Sequence, residues 1–323
     1  MTGGIETIKY HLLRSSGVIV FLALWEIGPR LDWIDPYFVP PFSAVMAEAG
    51  KLFADGSMVT HLLVSSWRAL LGLLTALLVG LPLGFVLGRW LIETSEALGP
   101  VLRVLSQVNP FSLMPVFMLF FGIGETAKIA VIAWVSLWPI LFYTITAVRN
   151  VDALQVKTAL SMGVSGAGLY LKVLFPAALP VIFVGLRIAA SITFFILVAS
   201  EMLGANAGIG WLVHNSAMNY QIPRIYAGAT FIVILGFLLN RSLLSIERAL
   251  FVWREETGIN VRPAEAIQPM LRFGKLSAAA AGVAMLLVLA FGGHEAQKLN
   301  RQNRMQMPET GGHSHHFGNP LGE

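Results

Sequence analysis

Cysteine is absent from the 323 residues, and charged side chains make up only 12% of them. The first absence removes disulfides, thiol chemistry and the commonest soft metal ligand, and leaves the redox compartment open. The second stands beside a hydrophobic share of 56% and a mean hydropathy of +0.71. It excludes an ordinary soluble domain, where charge is about 25% and apolar content about 45–50%. The formal net charge of +4 is small and spread along the chain, so no nucleic-acid footprint is present. No internal repeat is evident, which withholds support from an inverted-repeat secondary transporter. Catalytic constellations are missing too: His214 has no partner pattern and the serines are scattered. GIGETAK, at 122–128, lacks the G-x-x-x-x-G-K-[ST] spacing of a phosphate loop, so the chain does not bind ATP by itself.

What is there is a succession of apolar runs. Lys9, His11 and Arg14 precede the first, 15–34. It lacks a small-x-small cleavage site and is followed by charged residues, so it reads as an uncleaved helix. Glu26 within it is a site candidate as a membrane carboxylate, or a helix-end partner of Arg30. The stretch 35–60 is polar, carries Pro36, Pro40 and Pro41, and predicts an amphipathic helix over 43–53 at the outer interface. Residues 69–88 hold no charge and supply about the 20 residues that cross roughly 30 Å of hydrocarbon. Gly80, Gly84 and Gly88 recur there at four-residue spacing, a seam for a close neighbour.

The run 104–124 contains Asn109, Pro110, Ser112 and Pro115, which predicts a bent or broken helix. Asn109 and Ser112 are therefore candidate pathway residues, against a plain packing kink. Span four covers 129–148, span five 177–200 and span six 225–244. Arg187 lies inside span five, as a structural partner of a carboxylate or as a gating charge. The Gly- and Asn-rich segment 200–224 forms an outer turn. Its Glu201 is read either as an outer gate or binding-protein contact, or as a helix-end structural pair. Residues 276–293 make a seventh, marginal span. The tail beyond holds His294, His313, His315 and His316 in a spacing that matches no closed metal site, so no metal is assigned and the tail reads as flexible and solvated.

Between spans four and five lies a polar, glycine-punctuated interlude. Asp152 can cap a short helix whose stripe is Ala153, Val156, Leu160 and Val164. Gly163 permits the turn that ends it, and Ser165 can cap a second short helix to about Leu174, before Pro176 and Pro180 open the next span. Gly163, Pro176, Pro180, Gly185, Leu186 and Arg187 together resemble the G...PxxxP...GLR pattern of the cytoplasmic loop of binding-protein-dependent ABC-transporter permeases. The family's Glu-Ala-Ala falls on Lys157, Thr158 and Ala159, so one letter of three is kept. Residues 115–128 resemble the same family, as do Glu247, Arg248 and Trp253. Glu201, Gly204, Gly208, Gly210 and Trp211 resemble its nitrate, sulfonate and taurine branch.

The resemblance covers about 40–255 and implies an all-α polytopic permease with a six-helix core. It divides the chain into 1–60 (first helix and outer segment), 61–255 (core, with the coupling loop at 152–174) and a C-terminal extension, 256–323. It implies an importer in the bacterial inner membrane with a second permease subunit, expected as a homodimer, and a solute-binding protein outside. ATP and Mg would be used by a separate cytoplasmic ATPase docked on Ala153, Val156, Lys157, Ala159, Leu160, Gly163 and Val164, with Pro176 and Pro180 behind them; this chain would hold no cofactor. Nitrate, sulfonate, taurine or bicarbonate is the implied cargo, and membrane lipid the surroundings. The alternative is an ATP-independent transporter or channel, which would need acidic relays inside the spans. Few acidic residues besides Glu26 and Glu201 qualify. Orientation agrees with the first reading: with the N-terminus inside, inner segments carry Lys9, Arg14, Arg89, Arg103, Arg149, Lys157, Lys172, Arg241, Arg248 and Arg254. Outer ones carry Arg30, Lys51, Lys128 and Arg224, a bias that places the loop in the cytoplasm.

Overall fold

The computed structural model describes residues 3–250 and 274–306, and among the described residues all regular structure is helical. Lipid as solvent requires this: without water, backbone groups must bond within the protein, and a helix closes those bonds inside one segment. In chain order the helices are α1 (Gly3–Arg30), α2 (Phe42–Ala54), α3 (Ser57–Phe85), α4 (Ile92–Ser106), α5 (Pro110–Phe121), α6 (Glu125–Arg149), α7 (Ala153–Ser161), α8 (Gly166–Leu169), α9 (Phe175–Met202), α10 (Ile209–Met218), α11 (Ile222–Leu250) and α12 (Gly274–Gln306). A π-helical turn, Val86–Trp90, extends α3, and a second, Tyr170–Leu174, joins α8 to α9 without a break.

Among the described residues, five segments are long and apolar enough to cross a bilayer: Ser57–Trp90, Glu125–Arg149, Gly166–Met202, Ile222–Glu247 and Ala279–Lys298. α4 and α5 add a sixth if read as one span broken by 91°. The break falls where Asn109 and Pro110 place it, because the Asn109 side chain accepts from the Phe111 amide and Pro110 starts α5 without needing a donor. α1 stands outside that count. It is a single helix that already includes the basic start of the chain, rather than beginning at 15. Trp25 at its end packs on Phe42 and Tyr226. Glu26 pairs with Arg30 and accepts from the Ser43 amide, so this carboxylate fastens α1 to α2.

The centre is α3, α6 and α9. Gly80, Gly84 and Gly88 lie against α6, and the seam begins earlier, at Gly72. Gly72 faces Ile132, Gly80 faces Ile140, Gly84 faces Thr144 and Gly88 faces Val148. The offset is constant along the pairs, so α3 and α6 run parallel in one fixed register, as the returning broken span between them demands. α9 runs antiparallel to α6, with Gly185 against Tyr143 and the Pro139 carbonyl, and Ser136 bonded to Thr193 at 2.7 Å. Apolar clusters stack along this trio, from Ala69, Ile132 and Leu197 through Ala76, Ile140 and Ala189 to Val148, Ala178 and Ile182.

The run 276–293, expected as a seventh span, lies within α12, which extends beyond it at both ends. α12 packs on α3 and α11, with Gly292 and Gly293 against Trp67 and Ala296 buried beside Val64 and Ala207. His313, His315 and His316 lie outside the described residues, as do Arg254 and Trp253.

A Cβ on Gly84 would sit 2.5 Å from Thr144 Cβ. Gly84→Leu is expected to destabilise the purified protein by about 1–3 kcal/mol through overpacking. Gly50→Ala, where nothing stands within 4 Å, should leave it unchanged or slightly firmer. Thermal unfolding in detergent measures both, and equal midpoints would disprove the seam.

Candidate functional site

The loop between α6 and α9 is built by two local devices. The Asp152 carboxylate accepts from the Leu154 amide at 2.8 Å and caps α7. At the other end the Val164 amide reaches back to the Ala159 carbonyl and the Gly163 amide to Leu160, both at 3.0 Å, with Gly163 at φ +81°. This is a Schellman closure, and its left-handed residue is why a glycine stands at 163. The expected stripe divides. Val156 and Val164 turn inward with Ala159 onto Leu169 and Leu174, while Ala153, Lys157, Leu160 and Gly163 stay exposed with Leu154 and Met162. Ser165 makes no side-chain capping bond. The second helix is not a separate unit, since α8 passes through the π turn into α9. Pro176 and Pro180 lie half-buried in the first turns of α9, so they shape the span's start rather than the exposed loop surface.

The four residues proposed for the pathway are not gathered into one site. Asn109 is exposed and caps α5, and Ser112 is exposed in the next turn. Arg187 pairs with Glu247 at 3.5 Å and ties α9 to α11, which is the structural-partner reading. Glu201 is fully buried, so it does not itself present a carboxylate to a protein outside.

Glu201 instead joins a network among the ends of α3, α6 and α9. Arg68, 2% exposed, extends Nη1 to Glu201 at 2.7 Å and to the Ala207 carbonyl at 2.6 Å. Its Nε and Nη2 form a fork on Glu125 at 2.5 and 2.8 Å, the bidentate geometry to which guanidinium is suited. Lys128 approaches the same Glu125 at 3.4 Å. Two cations and two carboxylates thus share the interior with no net charge. Ser65 donates to Glu201 and accepts from the Ile209 amide, His61 Nδ1 accepts from the Gly208 amide, and the Gly210 amide donates to Glu201. His61, Ser65 and Arg68 are spaced four and three apart, one face of α3. Gly208, at φ +121°, lies against the Glu201 carboxylate so closely that a side chain would strike it. A cavity of about 40 Å³ adjoins, lined by Arg68, Gly124, Glu125, Lys128, Asn206 and Ala296 among others, enough for ordered water.

Among the described residues no group of three His, Asp or Glu side chains is placed to hold a metal. Residues 59–252, which contain both the loop and the network, match the family described as binding-protein-dependent transport system inner membrane component. The chain belongs to that family. This permease is 33% identical over 243 residues to the taurine transport system permease protein TauC of Escherichia coli (strain K12), covering 73% of its own length and 88% of that protein. It is 34% identical over 254 residues to the putative aliphatic sulfonates transport permease protein SsuC of the same strain, covering 76% and 94%. The nitrate import permease protein NrtB of Leptolyngbya laminosa is 33% identical over 191 residues, 58% of this permease and 66% of that protein. Its fold is similar to that of the inward-facing MetNI methionine ABC transporter, at a TM-score of 0.52 and 19% identity, covering 60% of this permease and 95% of that chain. The permease is accordingly a membrane transport component rather than an enzyme, and its family implies an ATPase and a solute-binding protein as partners.

Arg68, Glu125 and Lys128 were not among the site residues expected from the sequence, where Lys128 counted only as an outer charge. The signal was present: α3 is helical for twelve residues before the charge-free run at 69–88, so Arg68 is a lone charge inside a membrane helix, a default site candidate. Using charge to mark the end of a span removed it from the span.

Removing Arg68 leaves the fully buried Glu201 without a cation and Glu125 with only the longer Lys128 contact. Arg68→Met should cost about 3–5 kcal/mol, the range for breaking a buried ion pair from one side. Glu201→Gln, which keeps the hydrogen-bond acceptor for Ser65 and Arg68, should cost less. Unfolding midpoints of the two variants test the order, and an Arg68→Met protein as stable as wild type would refute the network's role.

Proposed function

We propose that this permease forms the pathway of a bacterial inner-membrane importer for small sulfonate or oxyanion solutes, such as taurine, alkanesulfonates, nitrate or bicarbonate. The observation that carries the reading is the α7 loop: a capped helix closed by a left-handed glycine, with Leu154, Leu160 and Met162 exposed at 68%, 50% and 77% on the end of the molecule where basic residues concentrate. Exposed apolar side chains rimmed by polar ones fit a protein partner. The partner is a cytoplasmic ABC ATPase that binds ATP and Mg, while this chain binds neither. Ala153, Lys157, Leu160 and Gly163 meet the ATPase. Val156, Ala159 and Val164 hold the loop's shape from beneath, and Pro176 and Pro180 set the start of the span it rides on.

Coupling needs the loop to dock differently in the two states of the ATPase. A shift from 1:99 to 99:1 between outward and inward access requires about 5.5 kcal/mol of differential binding. The second half of the pathway comes from a second copy of the chain. α4 packs mainly on the π turn of α3 and leaves Val101 and Val104 53% and 68% exposed, and α5 buries little besides Met114. These faces suit another subunit, and the outer faces of α9 and α11 suit lipid. Asn109 and Ser112, on the broken span, would then border the passage between copies. Similarity to permeases named for taurine, aliphatic sulfonates and nitrate supports this solute class, and the binding protein outside makes the choice within it.

Gly163→Asp places an L side chain at φ +81°, at about 1–2 kcal/mol, and a charge on the docking face. The variant should insert and fold yet lose its ATPase on purification from mild detergent, and uptake of taurine, a short alkanesulfonate or nitrate should fall to background. Normal ATP-driven uptake by this variant would reject the docking surface.

A further inference from the structure

The docking loop touches α3 through two wide helical turns that lie side by side. In the first, the Leu91 amide bonds to the Val86 carbonyl at 2.9 Å, and in the second the Phe175 amide bonds to the Tyr170 carbonyl. Each bond spans five residues rather than four, so each turn carries one residue more than its helix needs, and such bulges frequently sit at functional sites. Phe85, just before the first turn, packs on Phe175, just after the second, with ring centroids 5.8 Å apart. Trp90, at the end of the first, meets Tyr170, at the start of the second, edge to face at 5.4 Å. Its indole Nε1 donates to the Tyr170 hydroxyl at 2.5 Å. The turns are therefore antiparallel and joined at both ends, beside Val148 and Ala178. Tyr170 also packs on the cluster that holds α7, through Ala159 and Leu169.

We propose that these two π turns form a paired hinge, in which Trp90 and Tyr170 act as positioning residues that pass movement of the docking loop to α3. The inference rests on reading α7 as the ATPase docking surface. A wide turn is where a helix can shed or gain its extra residue and so rotate, and rotation of one turn obliges the other through the two aromatic contacts. α3 then delivers the motion along the glycine seam to α6 and, at its far end, to Arg68. Trp90 remains 65% exposed, so the contact is not a core packing requirement.

Trp90→Phe keeps a ring and removes the donor, Tyr170→Ala removes the contact, and Trp90→Tyr combined with Tyr170→Trp restores an edge-to-face pair with exchanged partners. The complex is purified with its ATPase, and solute uptake and ATP hydrolysis are measured together in vesicles. The single variants should retain the ATPase but consume about tenfold more ATP per solute carried, a coupling loss within the usual allosteric range. The swap should recover most of that ratio. Wild-type ratios in both single variants, or a swap no better than they are, would overturn the hinge. Gly163→Asp in parallel separates the two ideas: an ATPase that stays bound and coupled there sinks the docking surface, whereas loss there with normal Trp90 and Tyr170 variants sinks only the hinge.

Discussion

The outer half of the molecule depends on one buried guanidinium. Arg68 cannot be left alone in a medium that solvates charge poorly, and every N–H direction it uses is answered: a fork on Glu125, one carboxylate oxygen of Glu201 and the Ala207 carbonyl. Because those partners belong to α6, α9 and the loop after α9, satisfying the charge brings three elements to one point on α3. Hydrophobic packing in lipid could not do this, since lipid tails are as apolar as the side chains they would leave. The glycines complete the arrangement at the same place. Gly208 and Gly210 admit the backbone to the carboxylate, and the loop's amides then serve as donors in place of water.

Farther along α3 the constraint changes from charge to distance. Gly72, Gly80, Gly84 and Gly88 let α6 approach until side chains of one helix meet backbone of the other. A constant register over four contacts leaves little freedom to slide, so α3 and α6 move as one piece. Freedom is concentrated at the inner ends, where the two π turns interrupt the ladders beside the docking loop. Rigid outer ends with adjustable inner ends form a sound arrangement for a subunit that receives work at one surface and must change access at another.

Much of this was legible from one sequence because the signals are local. Asp152 before an apolar stripe and Gly163 after it specify α7 by capping chemistry alone, and the structure forms both ends as the residues require. Asn109 and Pro110 break the third span where they stand. Gly80, Gly84 and Gly88 announce a seam, though not the identity of its partner. Another reading failed for a physical reason. Ser165 precedes a helix without capping it, because α8 has no end of its own to satisfy once it flows into α9. Glu201 was open between an outer gate and a structural pair at the helix end, and its segment folds inward so that it pairs with Arg68.

Composition, periodicity and punctuation by themselves determined that the chain lies in a membrane, where its third span breaks, and where the capped loop helix between the fourth and fifth spans begins and ends. These follow from solvent, helix period and backbone geometry, which act over a few residues. Tertiary structure alone decided that Arg68 meets Glu201, 133 residues away, that α3 and α6 run parallel in register, and that Trp90 meets Tyr170. Such pairings depend on which helix faces which, a choice made by the summed contacts of the assembled bundle and written in no local stretch of the chain.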